Sequence, residues 1–219
     1  MITLGLSSST ALVGVAVAAD GALLAEQSTM TDRRHAEEIT PMLQSVLATA
    51  EVALTDVGRI VVDVGPGRYT GMRVGIATAK TLAFALDVAA VPVTSFQLLA
   101  AAAPPHQGPV FAVVDARRNQ VFAANVSDGG TPLVVTPAEL ASLLPSDALC
   151  VGDGADRYRE DFDAAASVHV GVVPSVAAAA LLDPDLKGRS GSAIEPMYLR
   201  EPDAAINIKT RPGSQQPDE

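Results

Sequence analysis

The sequence predicts an α/β fold made of two similar lobes, each opening with a β-meander. Three observations carry this. Asp20-Gly21 lies between the apolar runs ALVGVAVA and ALLAEQST, a strong short signal for a hairpin, because both turn positions take a positive φ. The layout then returns 108 residues on, with Val13, Ala16, Asp20 and Gly21 falling on Val121, Ala124, Asp128 and Gly129. Finally, helical and strand periods alternate after the first meander, giving βββαβαβ before residue 95.

The elements follow in order. Residues 2–7 form a short buried strand, and two more complete the meander. Thr40-Pro41 resembles an N-cap with proline at the first helical position, and Ile39, Leu43, Val46, Leu47, Ala50 and Leu54 recur at helical spacing. An earlier start near His35 is the alternative. A strand at 59–64, a glycine-rich stretch, a helix to about Leu86 and a strand at 89–94 close the first half. FAVVD, a turn at 116–119, QVFAANV and Asp128-Gly129 restate the meander, with Asp115 at the place of Ser7. Helices at 137–144 and near 155–163 flank a strand at 148–151, and Pro174-Ser175 opens an alanine-rich helix. KGRSGS at 187–192 reads as an exposed loop. The division is a first lobe over 1–97, a second over 98–201, and a tail over 202–219 whose polar composition predicts disorder.

Composition narrows the function. The chain has 219 residues, 48% hydrophobic, with no tryptophan, so small aliphatic side chains build the core. A net charge of −10 argues against tight RNA binding by this chain alone; Arg33-Arg34 and Arg117-Arg118 read as solvated pairs. The one cysteine, Cys150, forms no internal disulfide, which fits a cytoplasmic protein. The opening twenty residues lack a basic n-region, and serines interrupt their apolar run, so no signal peptide is expected. No stretch reaches the roughly 20 apolar residues of a membrane span.

Two meander-led lobes point to the fold of actin, sugar kinases and chaperone ATPases. In that fold the first tight turn of each lobe faces nucleotide phosphates, which makes Ser8, Ser9 and Asp115 the phosphate-facing candidates. Ser7 stands where an acid would organise a metal ion, and a hydroxyl is a poor magnesium ligand. Neither GxxxxGK[ST] nor GxGxxG fits the glycines at 65, 67, 71 and 75. A phosphate cradle at the helix start remains one reading. The other uses spacing: 71, 75, 79 and 83 form a ridge of small residues that admits a close helix, either the chain's own at 41–54 or a partner's. His35, His106 and His169 lack the HExxH or HxxxH spacing of a metallopeptidase, so that reading is rejected. A small-molecule kinase is the enzyme alternative; it needs Asp115 and a second acid.

VGPGRYTGMRVGIATAK resembles the GPGSFTGLRIG segment of the bacterial TsaB (YeaZ-type) family. LGLSSST is similar to that family's ILAIDTST, RRHAEEITPML to its first-helix segment, VVDARRNQVFAA to its IDAR-type meander, and PMYLREP to its YLR ending. The likeness runs in order from residue 2 to about 202. Ser7 departs from the family's usual Asp. The resemblance implies a non-catalytic subunit in threonylcarbamoyladenosine synthesis, paired with a TsaD-like transferase and joined by a TsaE-like ATPase. It implies a partner face at His35, Ile39, Leu43, Gly71, Arg73, Gly75 and Ala79, a homodimer when alone, and contact with tRNA only through the complex. No cofactor of its own is expected, with ATP or ADP in the assembled complex, and no membrane.

Overall fold

The computed structural model describes residues 1–183 and 188–200, so the expected tail and part of the KGRSGS loop lie outside the described residues. Strands β1 (Ile2–Ser7), β2 (Leu12–Ala19) and β3 (Ala22–Met30) form the first meander. Asp20 and Gly21 turn between β2 and β3 at φ 50° and 81°. Helix α1 spans His35–Thr49, and β4 (Val57–Asp63) follows a 3-10 turn. Thr40-Pro41 does not open α1. The buried stripe begins at His35 and continues through Ile39, Met42, Leu43, Val46 and Leu47, which sets the earlier start. Pro41 sits on the exposed side, where a carbonyl left without its helical N–H partner can face solvent.

Helix α2 (Tyr69–Leu86) ends on Asp87, left-handed at φ 53°, and leads into β5 (Ala89–Val93). Helix α3 (Ser95–Ala102) is an addition to the expected elements. A reciprocal capping box starts it, Thr94 accepting from Gln97 N–H while Gln97 accepts from Thr94. The second half holds β6 (Val110–Arg117), β7 (Gln120–Asn125), β8 (Leu133–Val135), α4 (Pro137–Leu143) and β9 (Leu149–Val151). It continues with α5 (Asp153–Arg157), α6 (Arg159–Phe162), β10 (Ser167–His169) and α7 (Val176–Ala180). The helix expected near 155–163 is therefore two short ones, parted at Tyr158. Asp128-Gly129 makes no two-residue hairpin. Asn125 Nδ2 donates to Asp128 and Gly130 N–H to the Asn125 carbonyl, closing a longer loop, and β8 begins only after Pro132.

The sheets run β3-β2-β1-β4-β5 and β10-β9-β6-β7-β8. The second, reversed, repeats the first strand for strand. Each meander is antiparallel, and each later pair is parallel. The βββαβαβα order of the first half, repeated in the second with its middle helix split into α5 and α6, is the two-lobe, actin-like α/β architecture expected.

The closing helix of each half packs on the other half's sheet. From α3, Phe96 and Leu99 enter the core of Ala112, Val114 and Val151. Helix α7 packs Val176 and Ala180 on Ala16 and Ala18 of β2. It lies so near β1 that a Cβ at Gly5 would be 2.7 Å from Ala180 N. Buried Arg59 of β4 donates to the carbonyls of Leu182 (3.0 Å) and Asp183 (2.9 Å), fixing the exit of α7. Further on, Ile194 is wholly buried in the first core with Leu4, Leu6, Val15, Ile60 and Ile76. A cut at residue 97 therefore separates chain segments but not the cores that they fill.

Candidate functional site

The first turn is sealed by the glycine stretch. Ser7, Ser8, Ser9 and Thr10 are all buried. A Cβ on Gly67 would collide with the Ser9 carbonyl, and one on Gly71 with the Ser8 carbonyl. A Cβ on Gly75 would stand 2.5 Å from Ser8 Oγ. Glycine here removes the atoms that would hold α2 off the turn. Arg68 N–H donates to the Ser9 carbonyl (2.6 Å), Ser8 Oγ to Gly71 O (2.8 Å) and Ser9 Oγ to Asp63 O (3.2 Å). Ser8 and Ser9 thus direct their polar atoms at their own chain, which corrects their expected place facing a phosphate. The ridge of 71, 75 and 79 likewise faces neither a partner nor chiefly α1, but Ser8 and the first core.

Behind the turn lies Asp63, fully buried. Its carboxylate accepts from Ser7 Oγ (2.9 Å), Ser95 Oγ (2.8 Å) and Gly65 N–H (2.8 Å). Burial pushes this carboxyl above the usual range, against the pull of the donors from Gly65, Ser95, Ser7 and Ser9. Ser7 is therefore a donor to an acid supplied by β4.

The second turn opens on a cleft between the lobes. Arg117, Arg118 and Asn119 follow one another at φ 61°, 55° and 57°, three left-handed non-glycine residues in a row. Asp115 Oδ1 accepts from Arg117 N–H (2.9 Å), and the other oxygen faces Arg117 Nη1 (3.5 Å) and Arg157 Nε (3.7 Å). Asp153 Oδ1 accepts from Asp115 N–H at 3.0 Å. Burial raises the Asp153 carboxyl too. This is the second acid that sequence reading missed; its signal was Gly152-Asp153-Gly154 directly after an apolar strand.

The cleft holds two adjoining cavities of about 630 and 570 Å³. Asp32, Arg33, Arg68, Asp115 and Arg117 line both. At the rim Tyr69 stacks on Tyr198 with centroids 5.2 Å apart, and the Arg73 guanidinium lies 4.1 Å from the Tyr69 centroid. Arg73 Nε donates to Tyr198 Oη (2.9 Å), and Arg200 Nη1 to Gln120 Oε1 (3.0 Å), so the YLR segment ties α2 to β7.

Of the expected partner face, His35, Ile39, Leu43, Gly71, Gly75 and Ala79 are buried within this chain, and Arg73 is exposed. His35 is not a surface residue: its Nε2 lies 2.8 Å from the Thr10 carbonyl and so donates to it. The correction is one of helix phase, because the small residues serve the chain's own core. The opposite side of α2 presents Arg73, Ala77, Thr81 and Phe84, and Phe84 is 90% exposed. His106 bonds the Asp147 carbonyl and His169 ends β10, so the three histidines lie apart. Among the described residues no helix is long and apolar enough to cross a membrane.

A sequence model of the TsaD family, described as tRNA N6-adenosine threonylcarbamoyltransferase, matches residues 24–143, more than half of the chain. The chain belongs to this family. It is of the TsaB/YeaZ type within it. The tRNA threonylcarbamoyladenosine biosynthesis protein TsaB of Bacillus subtilis is 36% identical over 122 residues, covering 56% of this chain and 53% of that protein. The match thus spans about half the length of that relative. An uncharacterized protein of Mycobacterium tuberculosis is 32% identical over 185 residues, 84% of each chain. The solved structure of YeaZ from Pseudomonas aeruginosa superposes with a TM-score of 0.78 at 28% identity, covering 90% of this chain and 99% of that one.

Proposed function

We propose that this chain serves threonylcarbamoyladenosine synthesis in transfer RNA as a non-catalytic cytoplasmic subunit. It pairs with a TsaD-like transferase, and a TsaE-like ATPase joins the pair. The observation that carries the reading is the outward side of α2, where a phenylalanine 90% exposed, the most exposed large hydrophobic side chain among the described residues, stands beside Ala77 and Thr81. Such a side chain is the kind of aromatic anchor that a partner covers. The sealed first turn supports the non-catalytic part, since its hydroxyls and carbonyls are engaged by α2 and Asp63. The chain therefore acts without a nucleotide of its own, and ATP or ADP enters with the assembled complex. In the absence of the transferase the same side of α2 pairs two copies of the chain.

The test is depletion combined with co-purification. Loss of the chain lowers threonylcarbamoyladenosine in bulk tRNA, the chain captures the TsaD-like transferase, and alone it makes no modified nucleoside. Normal modification in a clean deletion contradicts the reading. The Asp115–Asp153 pair keeps a kinase-like activity as the second reading. Magnesium-dependent ATP turnover by the isolated chain, abolished by Asp115→Asn, would establish it in place of the first.

A further inference from the structure

We infer that the mouth of the interlobe cleft is a contact surface for the phosphate backbone of RNA. Arginines that are far apart in sequence converge there. Arg33, Arg68, Arg117, Arg157 and Arg200 line the two cavities, against Asp32, Asp115 and Asp153. In a chain of net charge −10 this is a local excess of positive charge.

The arrangement of the pairs decides which sign faces outward. The Asp115 side chain is only 8% exposed, whereas its partners Arg117 and Arg157 are 49% and 53% exposed. Asp153 lies beneath, holding Asp115 N–H. The carboxylates anchor the guanidiniums from below, and the guanidiniums point to solvent. Arg33 is exposed and makes no hydrogen bond or ion pair with the described residues. Arg68 with Asp32 runs the other way, the aspartate being the exposed partner, so it adds little. The left-handed run at 117–119 holds Arg117 at this mouth at a conformational cost, which a ligand at the mouth would account for. The Tyr69–Tyr198 stack at the same rim offers ring surface to a base beside these cations.

An extended polyanion fits this mouth better than a free nucleotide. The cations are spread along both lobes, and the first-lobe turn that would cradle a compact polyphosphate is closed by α2. The inference rests on the proposed role in tRNA modification and assigns part of the RNA footprint to this chain.

The experiment uses the chain paired with its TsaD-like transferase and an unmodified tRNA transcript, read by fluorescence anisotropy over a salt series. The triple variant Arg33→Ala, Arg117→Ala, Arg157→Ala should bind about 10-fold more weakly at low salt. The slope of log affinity against log salt should shrink by about 2–3, at roughly 0.9 for each phosphate that is no longer neutralised. Arg159→Ala, an exposed arginine outside the cleft, should change neither. The corresponding Arg→Gln triple reads the same slope if the alanine variant does not fold. Unchanged affinity and slope in the triple variant overturn the inference. So does a triple variant that loses ADP binding while keeping tRNA affinity, because the site would then belong to a free nucleotide. Assembly with the transferase is measured on the same samples. If the wild-type chain does not pair at all, the proposed function fails; if pairing is intact and RNA affinity is indifferent to the arginines, only this inference does.

Discussion

Gly67 and Gly71 differ from Gly75 in what a methyl group would strike. The first two meet backbone carbonyls of the Ser8-Ser9 turn, and the third meets the end of a serine side chain. Backbone cannot step aside without moving β1, while Ser8 Oγ can change rotamer at the cost of its bond to Gly71 O. Gly67→Ala and Gly71→Ala should therefore destabilise by about 1–3 kcal/mol, roughly 2–12 °C in Tm for a chain of this size. Gly75→Ala should lie at or below the lower end. Thermal unfolding of the three variants checks the order, and equal losses would refute it. Asp63 makes a second prediction at this scale. Its carboxyl is raised in the fold by burial, so the native state holds the proton more tightly than the unfolded chain does. That contribution is complete below the unfolded value of about 3.9 and is lost as pH rises above it toward the folded value. Asp63→Asn, which keeps an acceptor for Gly65 N–H and Ser95 Oγ, should abolish this decline. Denaturant titrations at several pH values from about 4 to 7 compare the two chains; parallel curves would show that Asp63 is not the source.

Helix α2 has two sides with separate work. Inward, Gly71, Gly75, Ala79 and Ala83 settle on the turn and the core. Outward, Phe84 stands free of its own chain. Phe84→Ala should leave Tm within about 1 °C, because an exposed side chain contributes little to the fold. Affinity for the transferase should fall about 5- to 150-fold, the range of 1–3 kcal/mol expected for an aromatic anchor. Calorimetric titration of the pair decides this, and undiminished binding would move the partner face elsewhere. The same helix marks the limit of what sequence shows. Its span and its small-residue ridge were legible from four-residue spacing, because period reports that one side is special. Period does not report what the special side touches. Helix α3 was legible in principle from Thr94 and Gln97, since a capping box is local. The start of α1 was obscured by Pro41, a strong local signal overridden by the burial of His35 and Ile39. The convergence of Arg33 with Arg117 and Arg157 was out of reach, because only the pairing of the two lobes creates it.

For the molecule as a whole, the exchange of closing helices couples the lobes. Helix α3 completes the second core and α7 covers the first sheet, so neither half can open without exposing apolar surface in both. Chemical denaturation should show one transition, coincident by circular dichroism and by tyrosine fluorescence. Two separated transitions would mean that each half is stable alone. A fragment of residues 1–97 should lack cooperative unfolding, since it carries the start of α3 without its core and β1–β2 without their cover.

Synthesis from the N-terminus gives that exchange a temporal meaning. The first meander is made well before the residues that finish its surroundings, Val176, Ala180 and Ile194. While the ribosome is still translating, the β1–β2 surface around Gly5 and Gly14 has nothing to cover it, and pairings of such high sequence separation are slow to close. The nascent chain is therefore expected to depend on chaperones until those residues emerge. It should become protease-resistant in one late step, when the residue 194 region joins the core.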